Sequence, residues 1–291
     1  MRRRALSWLL LGVWLATSAA CSAPSRDRPR QLPPGFDGEY TLWFSDDQPK
    51  EHGTARAGRR HGEIERFHPD GSRAFLGTLD NGIPEGRWEY SHPEGGGLQV
   101  VENWVAGALE GPREEYYPGG RLRRVTEYSA GLRDGLEQAW HPDGSLAFTR
   151  HWRAGLGVGR WDEFDGKGRL LRTEHRWVAD GEEVGYLETV YAAPEVVSVQ
   201  TLMHRRGDVW AGWETHWHDN GAQAGYVEYE GGRRQGLDRS WSRGGQLVVE
   251  GWRVDDKRHG VWRTWSETGV LLDEVEYSLG ERVEDEPTPE G

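Results

Sequence analysis

Histidines set beside a carboxylate are the first chemistry this chain offers. His216 and His218 alternate along a strand-like segment, so both imidazoles fall on one face next to Asp219, the beginning of a divalent metal site. Their positions argue for another reading. His68, His92, His141 and His218 occupy the same slot, directly before a turn, in four corresponding segments. Such slots in adjacent strand pairs lie roughly 9.6 Å apart, whereas ligands of one zinc sit about 2 Å from it. A row of these histidines is therefore a turn feature and not a chelate, and neither metal nor cofactor is expected.

Catalytic patterns are missing as well. The chain has no Gly-x-Ser-x-Gly elbow, no phosphate-binding loop and no cysteine placed as a nucleophile. Its carboxylates are spread through strand-like segments, and none stands out as an acid and base pair. No enzyme is expected. What remains is aromatic: 16 Trp and 10 Tyr in 291 residues. Trp210, Trp213 and Trp217 crowd together and are the candidate binding surface, because rings on a sheet face can stack on sugars or anchor a protein. The competing reading is that most rings are core.

The elements that carry these residues repeat. Glycines at 58, 82, 107, 131, 155, 181, 207 and 232 open units of 24 to 26 residues, and Gly280 closes the series. Each is followed, four residues on in most units, by a partner such as Gly62, Gly86, Gly135 or Gly236, with Gly260 completing the set. Nine residues beyond most partners comes a turn glycine, as in Gly71, Gly144 or Gly269; only the unit beginning at Gly181 lacks it. A period of this length marks a repeat architecture whose units cannot bury an apolar face alone. Each unit reads as a β-hairpin. An aromatic at the fifth position after the paired glycine (Phe67, Trp140, Trp241) leads into a turn such as His-Pro-Asp-Gly at 68–71, and a return strand ends on Trp104, Tyr128 or Trp152. Trp88, Trp161 and Trp262, at the second position, have the opposite parity to the fifth. Either both sheet faces carry aromatics or a bulge resets the register.

Composition limits the partners. The net charge of −12 becomes −15 without Arg2, Arg3 and Arg4, which argues against nucleic acid and against charge-driven adhesion to anionic lipid. With two Ile, two Met and 41 Gly, a thin sheet held by aromatics suits the chain better than a thick aliphatic core or helices. Residues 1–20 read as a signal peptide, with a basic start, an apolar run from Ala5 to Ala16 and a small-residue motif at Ser18–Ala20. The only cysteine, Cys21, follows at once and resembles the lipid-modified residue of bacterial lipoproteins, although Ser18 departs from the usual leucine. By the same resemblance, Ser22 in place of Asp implies the outer membrane. Ordinary cleavage with a free thiol is the alternative. Residues 21–37 read as lipid attachment and a Pro-rich tether, 38–57 as a degenerate capping unit, 58–280 as the repeat domain and 281–291 as an acidic disordered tail.

The glycine pair, the aromatic and the turn glycine over 58–280 resemble MORN repeats, in the variant found in tandem in many bacterial proteins, some labelled antitoxin components. The resemblance implies an all-β, elongated antiparallel meander of about nine hairpins, which at strand spacing would run about 85 Å before twist. It implies a scaffold or binding module and transfers no catalytic residues. Three functions follow as expectations. The first is an envelope lipoprotein, monomeric and membrane-bound only through its lipid anchor, that binds another envelope protein. The second is recognition of envelope glycan by exposed aromatics, and the third is neutralisation of a secreted toxin.

Overall fold

A computed structural model describes residues 31–45, 47–193 and 196–283; the segment read as a signal peptide, Cys21 and the acidic stretch 284–291 lie outside these residues. Two kinds of turn set the fold. Along one edge, two-residue turns such as Ala57-Gly58 (φ 47° and 75°), Ala106-Gly107 (48° and 84°) and Ala154-Gly155 (48° and 81°) hold both residues at positive φ. That is the type I′ geometry matching strand twist, and it explains the opening glycine of each unit. Along the other edge, His-Pro-Asp-Gly closes by His68 N–H to Ser72 O (2.8 Å) and Gly71 N–H to His68 O (2.9 Å), while Asp70 Oδ1 accepts Ser72 N–H at 2.8 Å.

Between these turns each strand pairs antiparallel with the next in sequence. Gly38–Ser45 pairs with Gln48–Arg56, Gln48–Arg56 with Arg59–Phe67, and so on to Leu271–Ser278. The strands pack against their immediate neighbours, so the sheet is an open, elongated ribbon without a deep interior. Apart from the three-residue 3-10 turn Pro93–Gly95, no helix occurs among the described residues, and none is long and apolar enough to cross a membrane.

The paired glycine marks a bulge. At Gly62 (φ 82°), Gly53 faces Ile64 and Ala55 faces Arg60, so two steps on one strand span four on the other. The same offset recurs at Gly86, Gly135, Gly159, Gly236 and Gly260. A smaller bulge follows at the fifth-position aromatic, as between Arg66 and Phe67. Both devices weighed from the sequence are therefore present, because second- and fifth-position aromatics still alternate onto opposite faces. The unit after Gly181 is the exception. Gly185 and Gly212 lack positive φ, and Val196–Arg206 pairs with Val209–Trp217 without any register shift.

One face holds the core. Tyr40, Leu42, Ala55, Ile64, Phe75 and Leu79 are buried together, with Trp88 and Tyr90 packed against them. Trp88 stands edge-on to Phe75, ring centroids 4.9 Å apart, and 5.5 Å from Trp104. Further along the same face aliphatics give way to buried carboxylates, arginines and rings. Glu102 accepts from Trp104 Nε1 and Arg113 Nε, both at 3.0 Å, and Glu137 from Trp152 Nε1 at 2.8 Å. Arg150 lies 4.1 Å over Phe148 and 5.2 Å from Trp161. Burial pulls its guanidinium downward from the usual range, against the opposing charges of Glu137 and Glu163. Buried charge survives in so thin a sheet because each group meets a charged or aromatic partner.

Hydrogen bonds one repeat long stitch both edges. The turn amides of Gly58, Gly107, Gly131 and Gly155 donate to the carbonyls of Phe36, Pro84, Leu109 and Arg133, and Ala106, Ala130 and Ala154 N–H donate to Glu85, Glu110 and Asp134 carboxylates. On the opposite edge the pre-turn side chain bonds the next hairpin: His68 to Ser91 O (3.0 Å), His92 to Tyr116 O (3.0 Å), His141 to Phe164 O (3.1 Å) and His218 to Trp241 O (2.9 Å), with Tyr117 Oη to Trp140 O (2.9 Å) in the same slot. The histidine row is thus a seam between repeats.

Two boundaries differ from the sequence reading. The stretch assigned to the tether reaches the fold before residue 38, since Leu32 and Phe36 pack on the core and Asp37 Oδ1 accepts Ala57 N–H at 2.7 Å. At the other end Glu281–Arg282 is a short strand paired with Tyr277 and Ser278, so the assigned tail begins with ordered residues.

Candidate binding surface

Cross-strand partners share a sheet face, and this separates the three candidate tryptophans. Trp210 faces the core side, its ring 6.1 Å from that of Tyr186. Trp213 and Trp217 alternate to the opposite, open face, where Trp213 lies 6.2 Å from Tyr226. The clustering read from sequence is thus divided between two surfaces. All three rings are half-buried, and Trp217 lines a separate shallow cleft of about 430 Å³ with Gln200 and Asp219. Of the histidines considered as ligands, His218 is engaged by Trp241 O and His216 by Glu214 Oε1 at 2.7 Å. No group of three or more His, Cys, Asp or Glu is gathered as a metal site among the described residues.

The open face changes character along the ribbon. Its row at the first position after the paired glycine, with the cross-strand partners, is mostly polar in the N-terminal half: Glu63 lies opposite Thr78 and Arg87 opposite Asn103, with Leu136 opposite His151 as the apolar exception. In the C-terminal half apolar side chains become frequent, interrupted by Glu228 opposite Trp213 and His259 opposite Trp252. His175 faces Leu187, Leu187 faces Leu202, Leu202 faces Trp213, and beyond the next bulge Leu237 faces Trp252. Trp252 remains 49 % exposed and Val261 38 %.

Within this row a hollow of about 220 Å³ opens over Ala211, a buried small side chain between longer ones. Its cross-strand partners are His204 and Glu230, and Trp213 stands two residues further along its own strand. Arg206, Glu228 and Gln235 complete the rim. Glu228 is fixed by Tyr226 Oη–H at 3.0 Å and Leu237 N–H at 2.9 Å. Burial, followed by that bond to Glu228, pushes the Tyr226 phenol up to about 12. Sequence reading singled out Trp213 but missed His204, Glu228, Glu230 and Gln235, which come together only through strand pairing.

Residues 258–278 match the MORN repeat variant family. No curated protein sequence matches the chain. Among solved structures, the crystal structure of TcdB2-TccC3-TEV is similar at 9 % identity and a TM-score of 0.21, over 83 % of this chain and 15 % of that one. A Photorhabdus luminescens Tc holotoxin pore with a mutated TccC3 is similar at 12 % identity and a TM-score of 0.17, over 83 % of this chain and 17 % of that one. The chain spans only that small share of those proteins, and a likeness of this size carries no argument. The family match falls on the last full hairpin, Lys257–Ser278, which therefore carries a MORN repeat variant, and the units before it repeat the same glycine and aromatic spacing.

Proposed function

We propose that this chain is a non-enzymatic scaffold of the bacterial cell envelope, anchored by a lipid on Cys21, whose C-terminal open face docks another envelope protein. The observation that carries this reading is the change in the open-face row from Glu63, Thr78, Arg87 and Asn103 to Leu187, Leu202, Trp213, Leu237 and Trp252. Leu187, Leu202 and Trp213 adjoin one another from the irregular unit onward and are half-buried, and Trp252, beyond Glu228, is exposed; rings and aliphatics left on a sheet face are a usual mark of an interaction surface. The acidic balance of the chain favours a protein partner over nucleic acid.

Site-specific photocrosslinking in cells producing the full chain tests this. A benzophenone side chain at Trp252 is expected to give one discrete adduct, and the same group at Arg87, in the polar half of the row, none. Equal labelling from both positions, or no adduct from Trp252, would refute it.

A further inference from the structure

We propose that the hollow over Ala211 is a subsite for one neutral saccharide ring. The inference rests on the hollow itself and stands independently of protein docking elsewhere on the face.

Three observations converge. The first is shape. The space of about 220 Å³ falls below the range of roughly 300–1,000 Å³ usual for drug-sized ligands, which leaves room for a single ring. Its floor is the Ala211 methyl, and the Trp213 indole offers an apolar wall.

The second is unspent polarity. Nearby arginines are matched to carboxylates, Arg205 with Glu182, Arg233 with Asp255 and Arg253 with Asp238. Around the hollow, by contrast, the Glu230 carboxylate, the Arg206 guanidinium and the His204 imidazole make no ion pair or side-chain hydrogen bond among the described residues. Gln235 gives its Oε1 to Asp255 N–H at 3.0 Å, which leaves its amide N–H₂ to donate.

The third is the mixture of charge. Arg206 disfavours a cationic guest and Glu228 with Glu230 an anionic one. A neutral ring carrying hydroxyls satisfies both sets: its O–H groups donate to Glu230, its oxygens accept from Arg206 and Gln235, and its C–H face lies on the indole. An open subsite with one ring gives a Kd of about 1 mM.

The test uses the full chain labelled with 5-fluorotryptophan and followed by fluorine NMR. The Trp213 resonance is assigned by its loss in Trp213→Phe. Glucose, galactose and N-acetylglucosamine are titrated separately, with glycerol as a polyol that has no ring. At least one sugar is expected to shift the Trp213 resonance saturably while glycerol does not. Glu230→Gln, and Ala211→Leu, which fills the hollow, should each weaken that sugar tenfold or more. An unmoved Trp241 resonance, in the neighbouring hairpin, verifies that this part of the ribbon stays folded in each variant. No saturable shift with any of the three sugars overturns the proposal, as does an equal shift with glycerol or undiminished binding in the folded Glu230→Gln variant. Loss of sugar binding with an intact Trp252 crosslink would sink this inference alone.

Discussion

Gly53 and Ile64 should behave as one packing unit. A methyl added at Gly53 would lie 2.3 Å from Ile64 Cδ1, 3.1 Å from the Glu63 carbonyl and 3.3 Å from Tyr40 Oη. Ile64 is 0 % exposed, so its terminal methyl has no solvent to swing into. Overpacking of this kind costs about 1–3 kcal/mol. Alanine in place of a strand glycine recovers about 0.5–1 kcal/mol, so Gly53→Ala is expected to lose between about 0 and 2.5 kcal/mol of local stability, centred on about 1 kcal/mol. Ile64→Val removes Cδ1 and by itself costs about 0.5–1.5 kcal/mol. In that background the alanine methyl occupies the vacated space, and adding Gly53→Ala should be stabilising by about 0.5–1 kcal/mol. The coupling is therefore the relieved overpacking, about 1–3 kcal/mol in favour of the double variant. Amide exchange over Gln48–Arg56 and Arg59–Phe67 reads the local opening free energy without assuming that the whole ribbon unfolds together. Single effects that add to within about 0.5 kcal/mol would refute the packing argument.

Further outcomes follow from the buried charges, the stitches and the anchor. Burial would raise the Glu51 carboxyl, but hydrogen bonds from Arg60, Tyr40 and Arg66 outweigh it and hold the group below its ordinary 4.5. Its contribution is thus full above that value and lost as pH falls through the lower folded value; amide exchange in the N-terminal hairpins should accelerate there in the wild type and much less in Glu51→Gln. The turns at Asp180-Gly181 and Gly207-Asp208 show no backbone stitch among the described residues, only the exposed Arg205–Glu182 ion pair. Amides of Gly181 and Gly207 should therefore exchange at least tenfold faster than that of Gly155, and equal rates would contradict the stitching account. Labelled palmitate should enter the wild type and not Cys21→Ser; equal absence of label in both would mean that the chain carries no lipid at this residue.

Much of the fold was legible because the glycines answer to local backbone demands. Gly58 and Gly107 sit where a type I′ turn needs positive φ, and Gly71 where the Pro-Asp-Gly turn does, so their spacing gave hairpins directly. Interactions one repeat long were not legible. That His141 bonds Phe164 O, or that Asp134 caps the turn at Ala154, depends on the offset between hairpins, which the bulges at the paired glycines set. The candidate surface was half visible for the same reason. Trp210 and Trp213 are three residues apart on a strand without a bulge at Gly212, so they point to opposite faces, whereas the spacing alone left the register open. The hollow over Ala211 was hidden because an alanine becomes a cavity only once His204 and Glu230 arrive from the flanking strands.

The most direct test of the ribbon itself is a set of spin-label distances between turns of one edge. With one label at Asp70, the partner is placed at Asp143, three hairpins away, or at Thr268, eight away, on the same row of turns. At roughly 9.6 Å per hairpin, the separations before twist are about 29 Å and about 77 Å, so the second must clearly exceed the first. A distance from Asp70 to Thr268 no longer than that from Asp70 to Asp143 would mean that the sheet folds back on itself, and the account of an open, sequential meander would fail.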